Sequence, residues 1–189
     1  MQLIKCTKKL QKEMGLKEAD LVRHEPDVSL LGPWHANLIY LDRKKCVLFA
    51  NDKTLFNFLV PDVARGQLKE LDKLFRSWLE CILSEEGFDA ELKGKTLSEY
   101  QEIGYSGTTS KRVLGSMNDL AFHYKDMVLS GGGVHSYQVP EIIRELNRMP
   151  MGAIGYQYPI EALKSMFGLV PKQGLRGNSL PYEDQEKKR

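Results

Sequence analysis

The residues best placed to do chemistry lie in one run, TTSKRVLGSMNDLAFHYKDMVLSGGG, over 108–133. In an α-helix Arg112, Ser116, Asp119, His123 and Asp126 return to one face, because they recur at intervals of three and four. Arg112 stands near the helix start, beside the hydroxyls of Thr108, Thr109 and Ser110 and the free N–H groups of the first turn. That corner suits phosphate or carboxylate. His123, with Asp119 to orient it, has the elements of an acid–base pair. At 1.5 Å per residue, however, Arg112 and His123 are about 16 Å apart, too far to share one small reacting group. The row is equally readable as the wet side of an amphipathic helix, with Asp119 and His123 as an i,i+4 pair. Two details oppose that reading. The row holds no Lys or Glu before His123, and Ser116, Asn118 and Asp119 are mediocre helix formers placed in mid-helix. Local inconsistency of this kind gathers at functional sites.

A second group lies in WHANLIYLDRKKCVLFANDKTLFNFLV, where Trp34, His35, Asn37, Arg43, Asn51 and Thr54 fall within one β-rich stretch. Arg43, Lys44 and Lys45 read as a basic hairpin tip, either solvated or binding. Trp34 after Gly32-Pro33 reads as a core anchor at a strand start. Asn37 and Asn51 need partners if buried, since asparagine is depleted in strands. Other templates fail. His24, His35, His123 and His135 show no HxxxH or HExxH spacing and the cysteines make no CxxC, so a metal would find only scattered ligands. GGGVHS lacks the GK[ST] ending of a phosphate loop, and no GxSxG surrounds a serine.

The elements that must position these residues follow from periodicity. QLIKC opens a strand, and a short helix follows from Thr7 to a stop at Gly15. Runs 34–41, 46–51 and 54–60, separated by DRKK and by Asp52-Lys53, predict an antiparallel three-stranded meander covered on both faces. After Pro61 comes a helix with Leu68, Leu71, Phe75, Trp78 and Ile82 as its buried stripe, and residues 89–109 predict one or two strands. The helix from Ser110 buries Val113, Met117, Leu120, Tyr124 and Met127. Pro140 and Pro159 each open a further helix. The expected fold is α+β: an antiparallel sheet built on the meander, extended by the N-terminal strand and one from 89–109, with long helices packed on it.

With 189 residues, 42% of them hydrophobic, and no linker rich in Pro, Ser or Gly, the chain predicts one domain over 1–170. Residues 171–189 offer few apolar groups and read as a flexible C-terminal tail. With 27 basic and 25 acidic residues there is no global field for nucleic acid or an anionic membrane, so any such binding falls to a local patch. No run of about 18 apolar residues and no export signal is present, so a cytosolic protein is expected, with no membrane partner. Cys6, Cys46 and Cys81 read as reduced, buried thiols.

The stretch LGPWHANLIYLDRKKCVLFANDKTLFNFLV followed by RVLGSMNDLAFHY resembles an uncharacterised family of small bacterial cytosolic proteins, a domain of unknown function, over residues 1 to about 167. The resemblance implies a common fold and brings no activity or cofactor. It directs attention to Trp34, Asn37, Arg43, Thr54, Arg112, Ser116, Asn118 and Asp119. Three functions are compatible with these residues: a module binding an anionic, phosphate-bearing ligand such as a nucleotide or RNA; a small nuclease or phosphoryl-transfer hydrolase using Arg112 with His35 or His123; and a protein that meets another protein, or a second copy, through the polar helix face. An Arg112 close to a histidine or acid of the meander, opening to a pocket, favours the enzyme.

Overall fold

A computed structural model describes residues 1–23 and 29–169; the tail expected over 171–189, and His24, lie outside them. Five strands form one sheet: β1 (Gln2–Cys6), β2 (Trp34–Leu41), β3 (Lys44–Asn51), β4 (Asn57–Val60) and β5 (Ile103–Gly107), in the order β4-β3-β2-β1-β5. Among the described residues seven helices accompany it: α1 (Lys8–Met14), α2 (Arg65–Leu68), α3 (Leu71–Glu85), α4 (Ala90–Glu99), α5 (Lys111–Ser130), α6 (Val139–Leu146) and α7 (Pro159–Met166).

The sheet is mixed, which corrects the expected antiparallel sheet. β2 pairs antiparallel with β3 and β3 with β4, but β1 runs parallel to both β2 and β5. The cause is connectivity. Parallel neighbours need a crossover connection, and α1 with the segment after it supplies one between β1 and β2, while α2, α3 and α4 intervene before β5. Such pairing of distant segments leaves no local pattern.

Other departures have local causes. Residues 90–99 are helical because Asp89 caps the segment, its carboxylate accepting the Leu92 N–H at 2.8 Å; only 103–107 form a strand. Asp42 and Arg43, with φ of 46° and 61°, close β2 and β3 in two residues, the left-handed backbone that hairpin turns require. β4 starts at Asn57 and not at 54, because the Asn51 Oδ1 accepts the N–H groups of Lys53 and Thr54 and the Thr54 hydroxyl, each at 3.0 Å. That side chain holds the whole turn.

The two faces of the sheet differ. Trp34, Phe49 and Phe58 pack on Phe75 of α3, with ring centroids 5.3, 5.2 and 5.9 Å away. On the opposite face the register aligns Ser106, Lys5, His35, Ala50 and Asn57 in one rung across all five strands. α5 covers this face through Val113, Met117, Leu120, Tyr124 and Val128; Met127, expected in the stripe, is half-buried. The Tyr124 hydroxyl donates to the Asn57 Oδ1 at 2.8 Å, and Asn147 of α6 donates to the Asn57 carbonyl at 2.7 Å and accepts its N–H at 2.9 Å. Cys6 and Cys46 are buried as expected, and burial pushes the Cys6 thiol up to about 12. Cys81 is exposed, because it sits on the outer side of α3.

Candidate functional site

Lys5 and His35 are register partners on β1 and β2, so their side chains leave the sheet together on the face that α5 covers. Asp52 follows the end of β3, where its N–H donates to the Pro33 carbonyl at 3.1 Å and the Asn51 turn folds it back over the sheet. Its carboxylate accepts the Lys5 ammonium on Oδ2 at 2.8 Å and bonds His35 Nδ1 through Oδ1. The Lys5 and Asp52 side chains are each 14% exposed and His35 is fully enclosed. A carboxylate only accepts, so Nδ1 carries a proton, and in the neutral imidazole Nε2 presents a lone pair. Among the described residues Nε2 has no hydrogen-bond partner. Leaving such an atom unsatisfied costs about 1–3 kcal/mol. An apolar side chain would avoid that cost, so stability alone does not account for a histidine here.

Arg112 lies above this trio. Ser110 caps α5 by accepting the Val113 N–H at 3.3 Å, which places Arg112 in the first turn and spends the Ser110 oxygen on the cap. The guanidinium donates to the Asp52 carbonyl at 2.6 Å and to the Ala153 carbonyl at 3.1 Å. It thereby ties the helix start to the β3–β4 turn and to the loop before α7. Two carbonyls fix the plane of the fork while its remaining N–H groups are uncommitted among the described residues. Two cations gather at Asp52, Lys5 on its carboxylate and Arg112 on its main-chain carbonyl, so with a neutral His35 these four side chains carry a net positive charge.

A cleft of about 520 Å³ runs along α5, with Ser116, Asp119, Phe122 and His123 on one wall and Met149 to Ala153 on the other; Arg112 stands outside its lining and adjoins it through the Ala153 carbonyl. This size lies within the usual range for small-molecule sites. A turn held by the Met151–Gln157 bridge shapes the second wall.

From the expected row the cleft gathers Ser116, Asp119 and His123, while Arg112 stands outside its lining and bonds Ala153 at its edge. Ser116 is buried, its hydroxyl donating to the Arg112 carbonyl at 3.2 Å, and Asp119 is exposed without an ion pair among the described residues. The Asp119–His123 pair is not formed; the His123 ring stands edge-on to Phe122 with centroids 5.9 Å apart. Asn118 is exposed outside the cleft. The second group does not join the first. Trp34 is in the core, its indole N–H donating to the Tyr100 hydroxyl at 2.8 Å, and burial raises the Tyr100 pKa. Asn37 accepts the Thr7 hydroxyl at 3.1 Å, Thr54 serves the Asn51 turn, and Arg43 is exposed at the hairpin tip. Sequence reasoning missed Lys5 and Asp52. The available signal was one lysine inside the otherwise apolar run of QLIKC. Among the described residues no three His, Cys, Asp or Glu side chains gather as metal ligands.

A family model, the domain of unknown function DUF6933, matches residues 3–162, and the chain belongs to that family. No curated protein matches it significantly.

Proposed function

We propose that this chain, as a member of a family without an assigned reaction, is a binding module for a small phosphate-bearing anion, seated in the cleft beside Arg112. The observation that carries the reading is the guanidinium held by the Asp52 and Ala153 carbonyls beside a ligand-sized cleft, which Ala153 lines. A fork fixed in this way offers bidentate donors at little further entropic cost. The cleft suits a nucleotide better than a long RNA. Free cysteines support a cytosolic setting, and no helix among the described residues is long and apolar enough to cross a membrane. The test is thermal unfolding with AMP or inorganic phosphate. Ligand at a hundred times its Kd adds about 2.7 kcal/mol of stability, so the midpoint should rise. Arg112→Lys should keep the fold and lose the rise, because an ammonium cannot reproduce the planar fork. A parent protein indifferent to both ligands, or a lysine variant that responds like the parent, refutes the reading.

The Lys5–Asp52–His35 trio favours one second reading, a phosphoryl-transfer hydrolase. With Nδ1–H fixed by Asp52, the His35 Nε2 lone pair is that of a general base. Arg112 also touches an acid of the β3–β4 turn, though through its carbonyl and not its carboxylate. On this reading His35→Gln would bind AMP and release no phosphate from nucleotides that the parent hydrolyses.

A further inference from the structure

The Phe122 ring lines the same cleft and is 69% exposed. Asp119, one turn before it, offers an uncommitted carboxylate, and Met149 and Met151 form a soft apolar wall opposite. We infer that the ligand is a free nucleoside monophosphate whose base carries an exocyclic amine, with its phosphate on Arg112, its base on Phe122 and the base amine on Asp119. This rests on the reading that Arg112 takes the phosphate.

The spacing supports the assignment. Arg112 and Asp119 are seven residues apart on one face, two turns and about 10.5 Å of rise, leaving room for a ribose between phosphate and base. Ser116 occupies the middle turn. Its hydroxyl donates to the Arg112 carbonyl, so its oxygen is free to accept from a ribose hydroxyl. An aromatic face stacks on any base, so Phe122 supplies affinity without selection. Selection falls to Asp119, a carboxylate that only accepts hydrogen bonds. Adenine, cytosine and guanine present an exocyclic amine to it, whereas uracil offers only an N3–H flanked on both sides by carbonyls that it repels. A single nucleotide is favoured over a strand because a cleft of about 520 Å³ has the size of a small-molecule site.

The experiment is calorimetric titration of the full chain with ribose 5-phosphate, AMP, CMP, UMP and a dinucleotide whose only phosphate is the bridging diester. AMP and CMP should bind at least about tenfold more tightly than UMP, a difference that one good polar contact supplies. Asp119→Asn should narrow that gap while leaving ribose 5-phosphate unaffected. Phe122→Ala should weaken all three nucleotides and spare ribose 5-phosphate. Both side chains are exposed, so folding is not at stake. Ribose 5-phosphate binding that depends on Arg112, together with equal affinities for AMP and UMP, overturns this inference and leaves the phosphate site standing. A dinucleotide that binds as tightly as AMP overturns the choice of a free nucleotide. Absence of binding by every phosphate-bearing probe overturns both readings.

Discussion

The two faces of the sheet are covered with opposite chemistry. On one, Phe75 meets four aromatic rings, those of Trp34, Phe49, Phe58 and Tyr100, and the Trp34 N–H donates to the Tyr100 hydroxyl, which donates in turn to the Gly32 carbonyl at 2.7 Å. On the other, the rung from Ser106 to Asn57 carries a lysine and a histidine under α5, and one ring nitrogen there is unsatisfied. The first face is what stability alone selects: apolar area, with every donor paired. The second departs from that optimum beside a cleft, where function gives a reason for the departure.

The contrast breaks most visibly at Phe75. Phe75→Ala removes a ring from a packed cluster and should cost about 3–5 kcal/mol, read as a lower urea midpoint. A loss below about 1 kcal/mol would show that the aromatic face is not the main support.

Asp52 and His35 sharpen the contrast. Asp52→Ala strands the Lys5 ammonium, 14% exposed, and should cost about 3 kcal/mol. His35→Phe loses the Nδ1–Asp52 bond, relieves the unsatisfied Nε2 and keeps the Lys5–Asp52 pair, so the two terms offset and its midpoint should stay within about 1 kcal/mol of the parent. A His35→Phe variant as damaged as Asp52→Ala would make the histidine a structural element and remove the argument for a functional one.

The smallest effect concerns alkaline pH. Burial raises the Cys6 thiol pKa from 9.0 to about 12, so the folded state holds this proton more tightly than the unfolded state. Its contribution is complete below pH 9.0 and is lost as pH rises towards 12. Cys6→Ala should therefore flatten the decline of the urea midpoint between those limits. An identical decline in both proteins would assign the alkaline loss to the buried tyrosines.

The sequence was most informative where spacing is local. The stripe Val113, Met117, Leu120 and Tyr124 was readable because a helix repeats within four residues, and 34–41 because a β-rich run lies between turn signals. The β1 pairings were not, since nothing near Lys5 states that His35 and Ser106 will stand on either side of it. The same limit hid half the site. Arg112, Ser116 and Asp119 share one helix and were found together, whereas Lys5 and Asp52 meet only through the sheet register. Trp34 and Thr54 were named for residue type, and type alone did not separate a core ring or a turn hydroxyl from a ligand contact.

The central position of β1, between β2 and β5, has a consequence for the order of assembly. β1 precedes its partners in the chain, so it gains its second neighbour only when residues 103–107 arrive, and its cover only when α5 follows. During synthesis β1 to β4 can already pair while the rung of Lys5 and His35 still faces water. Lys5 and Asp52 can therefore meet as hydrated ions and lose their water afterwards, as α5 docks and Arg112 reaches the Asp52 carbonyl. Desolvation of the trio is then coupled to the docking of α5, and the cleft beside it is completed only when residues 149–153 arrive.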